Sequence, residues 1–241
     1  METMSGSGIV LFVVGSLALA GLLSLGIVAF VIWMLVRTSR IRREQRERAR
    51  AFAAQRGWTY SESVPFLTRR WAVNPFGRGS SRSAINVLTG TVHGMQLVSF
   101  QYSYIVSRGR SSTTYRFHVL ALHLPAQLPA LQLSPETANP FSFLAGRDIE
   151  LESEGFNATW RVVGPEGQFP YDFLHPRMME RLMAPDAIGT DIAVSGPDLI
   201  VALHGPQQLE RIDYYANLLY GIYQLVPKHV WRRVGHDPSV S

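Results

Sequence analysis

Residues 8–36 form an unbroken run of twenty-nine side chains without a charge, GIVLFVVGSLALAGLLSLGIVAFVIWMLV. A helix needs roughly 20 apolar residues to cross the hydrocarbon core of a bilayer, so this run is long enough to span one with tilt or spare turns. A cleaved signal peptide is the competing reading, because the Ala-Leu-Ala triplet at 18–20 has the small-x-small form of a cleavage site. No Lys or Arg precedes the run, however, and cutting after Ala20 would leave sixteen apolar residues at the new N-terminus. The expectation is a short tail at 1–7 followed by a transmembrane helix at 8–36.

Charge placement gives that helix a direction. The chain carries a formal net charge of +5, and all of the excess lies in residues 37–56, where eight arginines face only Glu44 and Glu47. Residues 57–241 are neutral overall, with fifteen basic and fifteen acidic side chains. Basic residues flanking a span stay on the cytoplasmic side. The N-terminus is therefore expected outside the cell membrane and the soluble part in the cytoplasm. A basic stripe in this position points to the lipid bilayer as partner, with Arg37, Arg40, Arg42, Arg43 and Arg46 at the lipid surface, and not to nucleic acid. The same stripe has a purely structural use, because Arg43 and Glu47, among others, are i, i+4 neighbours on a helix that should end at Gly57. Within the apolar run, Ser16, Ala20 and Ser24 form a small-residue ladder of the kind that permits close helix approach and homo-oligomers, although such ladders are common in lipid-facing helices.

Beyond Trp58 the pattern turns from helical to alternating. INVLTGTV and MQLVSFQYSYIV read as two strands joined at His93-Gly94, and TYRFHVLALHL returns as a third. Phe100, Tyr102 and Tyr104 then share one face with Phe117, Val119 and Ala121 opposite; a packed sheet explains this stripe better than a base-stacking platform. The proline-rich PAQLPALQLSPETANP reads as a connection with a short strand at 131–133. DIELESEGFNATWRVVG reads as an acidic hairpin turning near Gly155, YDFLHPRMMERLMA as a helix, and TDIAVSG and DLIVALHG as two short strands. The last long element places Leu209, Ile212, Ala216, Leu219, Tyr223 and Val226 on one helical stripe. The expected fold class is α+β: an N-terminal transmembrane helix at 8–36, a basic juxtamembrane helix at 37–56, and a soluble domain at 57–226 built on a mostly antiparallel sheet of about seven strands with two packed helices. Residues 227–241 are expected to be a tail.

Chemistry is harder to find. There is no cysteine, which excludes disulfides, thiolate metal ligands and a cysteine nucleophile. No G-x-x-x-x-G-K-[ST], H-E-x-x-H or G-x-S-x-G occurs, so no cofactor or metal is implied. Three groups remain. Asp148, Glu150, Glu152 and Glu154 alternate, as a divalent-metal or acid/base site would, and as the wet face of a strand also would. His175 beside Arg177, with Asp172 one turn earlier, is suited to binding an anion or moving a proton, and equally to fixing a helix start. Arg108 and Arg110 at a hairpin tip can contact phosphate or lipid, or simply face water.

The LESEGFN at 151–157, the strand at 160–163 and the LHPRMMERL at 174–182 resemble an uncharacterised family of bacterial single-pass membrane proteins containing a domain of unknown function. The resemblance implies no reaction. It does imply that Asn157, His175, Pro176 and Arg177 belong to a shared structural or binding feature. The expected function is a membrane-anchored cytoplasmic binding or scaffold module with a protein partner. A membrane-bound hydrolase or transferase using the acidic hairpin or His175 is the alternative from another class, and an anionic-lipid sensor is the third.

Overall fold

The computed structural model describes the backbone of residues 6–136 and 149–237, with side chains throughout except at 6–24 and Arg42. The chain divides into two compact units, Met1–Arg48 and Ala49–Ser241.

The first unit is helical. Helix α1 (Gly6–Arg56) runs for 51 residues without a break, crosses from the first unit into the second, and ends at Gly57, whose φ of 64° supplies the left-handed cap. Leu25, Phe30, Ile32 and Leu35 stay exposed along it. Arg37 lies over the Trp33 ring at 5.2 Å, and Arg43 pairs with Glu47 at 2.9 Å, the i, i+4 contact expected from the sequence. No helix among the described residues is long and apolar enough to cross a membrane. The expected span at 8–36 and the Ser16, Ala20, Ser24 ladder fall largely or wholly on side chains outside the described residues, as does Arg42.

The second unit is α+β around one antiparallel six-stranded sheet. Strands β1 (Thr59–Ser63), β2 (Ser80–Val92), β3 (Met95–Arg108) and β4 (Ser111–Pro135) lie in sequence order. The β2–β3 turn is the expected His93-Gly94, with φ of 51° and 78°, the double left-handed geometry of a type I′ hairpin. Strand β5 (Trp160–Val163) pairs with the end of β4, and β6 (Asp191–His204) with most of its length.

Several expectations need correction. The proline-rich connection is strand: β4 continues for 25 residues to Pro135. Proline lacks a ladder donor, and Pro125 and Pro129 fall where the β6 register slips, after pairing with β3 has ended at Leu122 and before pairing with β5 begins at Gln132. Opposite that slip, Gly196 at φ 60° bends β6, so the two short strands expected there are one. The acidic hairpin does not form. Ser153 accepts a bond from the Phe156 amide and starts α2 (Glu154–Thr159), a local cap overriding the alternating pattern. Glu150, Glu152 and Glu154 are exposed, and Asp148 lies outside the described residues. The helix expected around His175 is two short ones, α3 (Phe169–Phe173) and α4 (Pro176–Leu182). Helix α5 (Ile212–Leu225) matches its expected stripe, burying Ile212, Ala216 and Leu219. The supposed tail contains α6 (Lys228–Arg233), which buries Val230 and Trp231 and so belongs to the domain.

The sheet is covered on both faces. One face carries Leu88, Leu97, Leu120, Leu122 and Val201 against α4 and α5. The other carries the aromatic stripe: Phe100, Tyr102, Phe117 and Val119 are almost fully buried beneath the segment between β1 and β2. Trp71 of that segment stacks on Phe100 at 5.9 Å and Phe76 packs on Tyr102 at 4.7 Å. Each such side chain contributes about 1.5–3 kcal/mol by leaving water. The stripe is core, as its spacing suggested.

Candidate functional site

The polar group expected around His175 does not assemble. His175 Nε2 donates to the Leu225 carbonyl at 2.9 Å, tying the start of α4 to the end of α5. Asp172 turns away to α6, where Arg233 donates to it and His229 lies 3.3 Å off. Arg177 is exposed. Asn157 is a backbone clamp, donating to the Leu151 carbonyl at 2.7 Å and accepting from the Leu151 amide at 3.1 Å. These residues hold helices and a loop in place, so a proton relay has no path among them.

A histidine and a serine do meet elsewhere. His118 and Ser99 are buried on adjacent strands, with Nε2 and Oγ 3.0 Å apart. The Gln208 amide donates to His118 Nδ1 at 3.4 Å, which places the ring proton on Nε2 and makes the histidine the donor to Ser99. A base for the serine needs the opposite arrangement. Burial also lowers the His118 pKa to about 3, with the nearby Arg211 acting in the same direction, so the ring stays neutral. The pair is structural.

The site with recognition chemistry is an open cleft of about 810 Å³ where the β1–β2 segment meets the ends of β3, β4, β5 and β6. That volume is the size range of small-ligand sites. Tyr104, Phe117 and Leu131 give it an apolar floor, and Tyr115 extends the floor outwards, stacked on Tyr104 at 5.2 Å. Arg78 comes from the covering segment, Arg108 from the end of β3, and Arg161 from β5, where it is only 7% exposed. Of the two arginines expected at the hairpin tip, Arg108 lines the cleft and Arg110 does not.

The only acid on the cleft wall among the described residues is Asp191, which is 5% exposed. Burial raises its pKa, opposed by the Ser134 hydroxyl, by His204, by Asn74 and by Arg78. Asn74 Nδ2 donates to Asp191 at 3.4 Å while its amide donates to Gln132 Oε1 at 3.0 Å, and Gln132 Nε2 donates to Ser134 Oγ at 3.2 Å. Ser134 Oγ thus accepts from Gln132 within a network that reaches Asp191 through Asn74. Among the described residues no group of three acids, histidines or cysteines is placed to hold a metal ion.

The covering segment is fixed from its other end. Asp198, 3% exposed on β6, accepts from Arg70 Nε at 2.9 Å, from Trp71 Nε1 at 2.8 Å and from Arg70 Nη2 at 3.2 Å, and lies 3.1 Å from His123 Nδ1. His118 and His123 therefore serve separate clusters, consistent with the odd spacing that places them on opposite faces. Sequence reasoning missed Arg78, Arg161 and Asp191 as cleft residues. They come from three distant segments, and no local pattern joins them.

No family model and no curated protein matches this chain. Among solved structures, the crystal structure of the mycobacterial trehalose monomycolate transport factor A, TtfA, is similar with a TM-score of 0.55. The match covers 80% of this chain and 97% of that one at 15% identity, a likeness of fold alone.

Proposed function

We propose that this chain is a membrane-anchored, non-catalytic binding module whose recognition surface is the cleft beneath the β1–β2 segment. The observation that carries this reading is the content of the cleft: an aromatic floor, arginines and a hydrogen-bonded amide network. The hydrolase alternative relied on the acidic hairpin and the His175 group; Glu150, Glu152 and Glu154 are exposed, and His175 is engaged by the Leu225 carbonyl, which favours the binding reading.

Anchoring rests on the uncharged run at 8–36, with the soluble unit on the cytoplasmic side because the arginine collar follows the run. Arg37, Arg40 and Arg43 are exposed on α1, and each is worth about 1 kcal/mol when held near anionic head groups. The solved structure of similar fold is named a trehalose monomycolate transport factor, which supports a lipid-related role for this chain. A single helix offers no path through a bilayer, so that role also needs a protein partner. Membership of the uncharacterised single-pass family resembled by the 151–182 region fits the same picture.

A reporter fused at the C-terminus tests the topology. It is expected to be active in the cytoplasm and silent outside; activity outside would overturn the sidedness and the cytoplasmic module with it.

A further inference from the structure

The cleft has a charge imbalance that points to a class of ligand. Arg78 and Arg108, both exposed, line it, and the one acid on its wall among the described residues is Asp191. Asp191 is already occupied by Ser134 and Asn74, and burial works against its charge. Arg78 is exposed where it lines the cleft, and its charge lowers the Tyr104 pKa against the effect of burial. Arg108 is exposed at the end of β3, and among the described residues no carboxylate pairs with either Arg78 or Arg108. Val106, Val163 and the Tyr115 ring give the same cleft apolar lining, with Tyr115 39% exposed and Phe117 and Leu131 almost fully buried behind it. Arginine forks bind oxyanions in a bidentate manner, and an apolar bed of this size takes a hydrocarbon body.

Resting on the module reading above, we infer that the cleft binds an anionic amphiphile: a phosphate or carboxylate head held by Arg78 and Arg108, with its apolar body against Tyr115, Val106 and Val163. A free inorganic anion would use only the rim, and a neutral lipid only the floor. The geometry joins both in one cavity.

The test uses the full chain in phosphatidylcholine nanodiscs, with empty discs as background, titrated with water-soluble dihexanoyl phosphatidate. Saturable binding of one molecule per chain is expected. Affinity should fall roughly tenfold or more in Arg78→Ala/Arg108→Ala, and should remain within about threefold in Arg78→Lys/Arg108→Lys, which keeps the charges. Inorganic phosphate and neutral dihexanoyl glycerol should each bind at least about tenfold more weakly than the phosphatidate. Unchanged thermal unfolding of the alanine variant excludes misfolding as the cause, and the lysine variant carries the test if it does not. Equal phosphatidate binding by wild type and alanine variant would overturn the inference, as would equal binding of the neutral glyceride or of phosphate alone. If dihexanoyl glycerol binds as tightly as the phosphatidate and the arginines prove irrelevant, the cleft is a binding site for a neutral ligand: the anion is lost and the module reading stands. If no probe binds and nothing crosslinks at the cleft in native membranes, both fail.

Discussion

Replacing Asp198 with alanine is expected to lower the stability of the second unit by about 3 kcal/mol, the low end of the cost of breaking a buried ion pair. The carboxylate is 3% exposed and holds Arg70 and Trp71 at once, so its removal leaves a buried indole N–H and a half-buried guanidinium without their acceptor. Arg70 is 30% exposed and can reach water, which is why the low end applies. Asp198→Asn should cost less, since the amide oxygen still accepts from Trp71. Denaturant unfolding measures the loss. Hydrogen exchange locates it, with protection expected to fall first around the 3-10 turn Pro65–Thr68 and Trp71. The effect should reach the cleft, because the same covering segment delivers Asn74 and Arg78. A change below about 1 kcal/mol, the range of a surface pair, would mean that Asp198 does not hold the segment down.

Acid should act through His118. An unfolded chain protonates this ring near its ordinary pKa of 6.5, while the folded protein resists until about pH 3. Below pH 6.5 the unfolded state therefore binds the extra proton, and stability present above 6.5 is lost as the pH falls towards 3, at about 1.4 kcal/mol per pH unit. Asp191 works in the opposite sense: its raised pKa lets the folded state take up a proton first as the pH falls towards the ordinary carboxyl value. His118→Gln separates the two. A glutamine can donate to Ser99 and accept from the Gln208 amide without titrating, so the variant should show a shallower loss between pH 6.5 and 4 than wild type. Identical slopes in the two proteins would remove His118 as the acid-sensitive group.

Much of the architecture was legible where a local signal and the tertiary context agree. His93-Gly94 specifies its own hairpin, and the spacing from Phe100 to Ala121 places six side chains on one buried face. Legibility failed where two local signals compete. Pro125 and Pro129 read as loop because proline normally ends a strand, yet β4 absorbs both at points where its partner's register slips. The acidic alternation has the period of a strand, but the Ser153 cap starts a helix within it. The cleft lay beyond local reasoning altogether. Arg108 was visible as an arginine at a turn, but Arg161 is a single basic residue in a short strand with no local signal of the cleft. Asp191 looked like the first residue of a strand. Tertiary pairing brings them together, because β5 and β6 lie on opposite sides of the same stretch of β4.

Whether the cleft is the recognition surface can be read directly in the membrane. Tyr115 is 39% exposed on its floor, and Tyr214, 47% exposed on α5, lies elsewhere on the domain. Each can be replaced in the full chain by photoreactive benzoylphenylalanine, irradiated in native membranes and weighed by mass spectrometry after purification. A binding cleft should give roughly tenfold more adduct at 115 than at 214, with adduct at 115 reduced when phosphatidate is added in excess. Equal yields at the two positions would contradict the cleft as the site of binding.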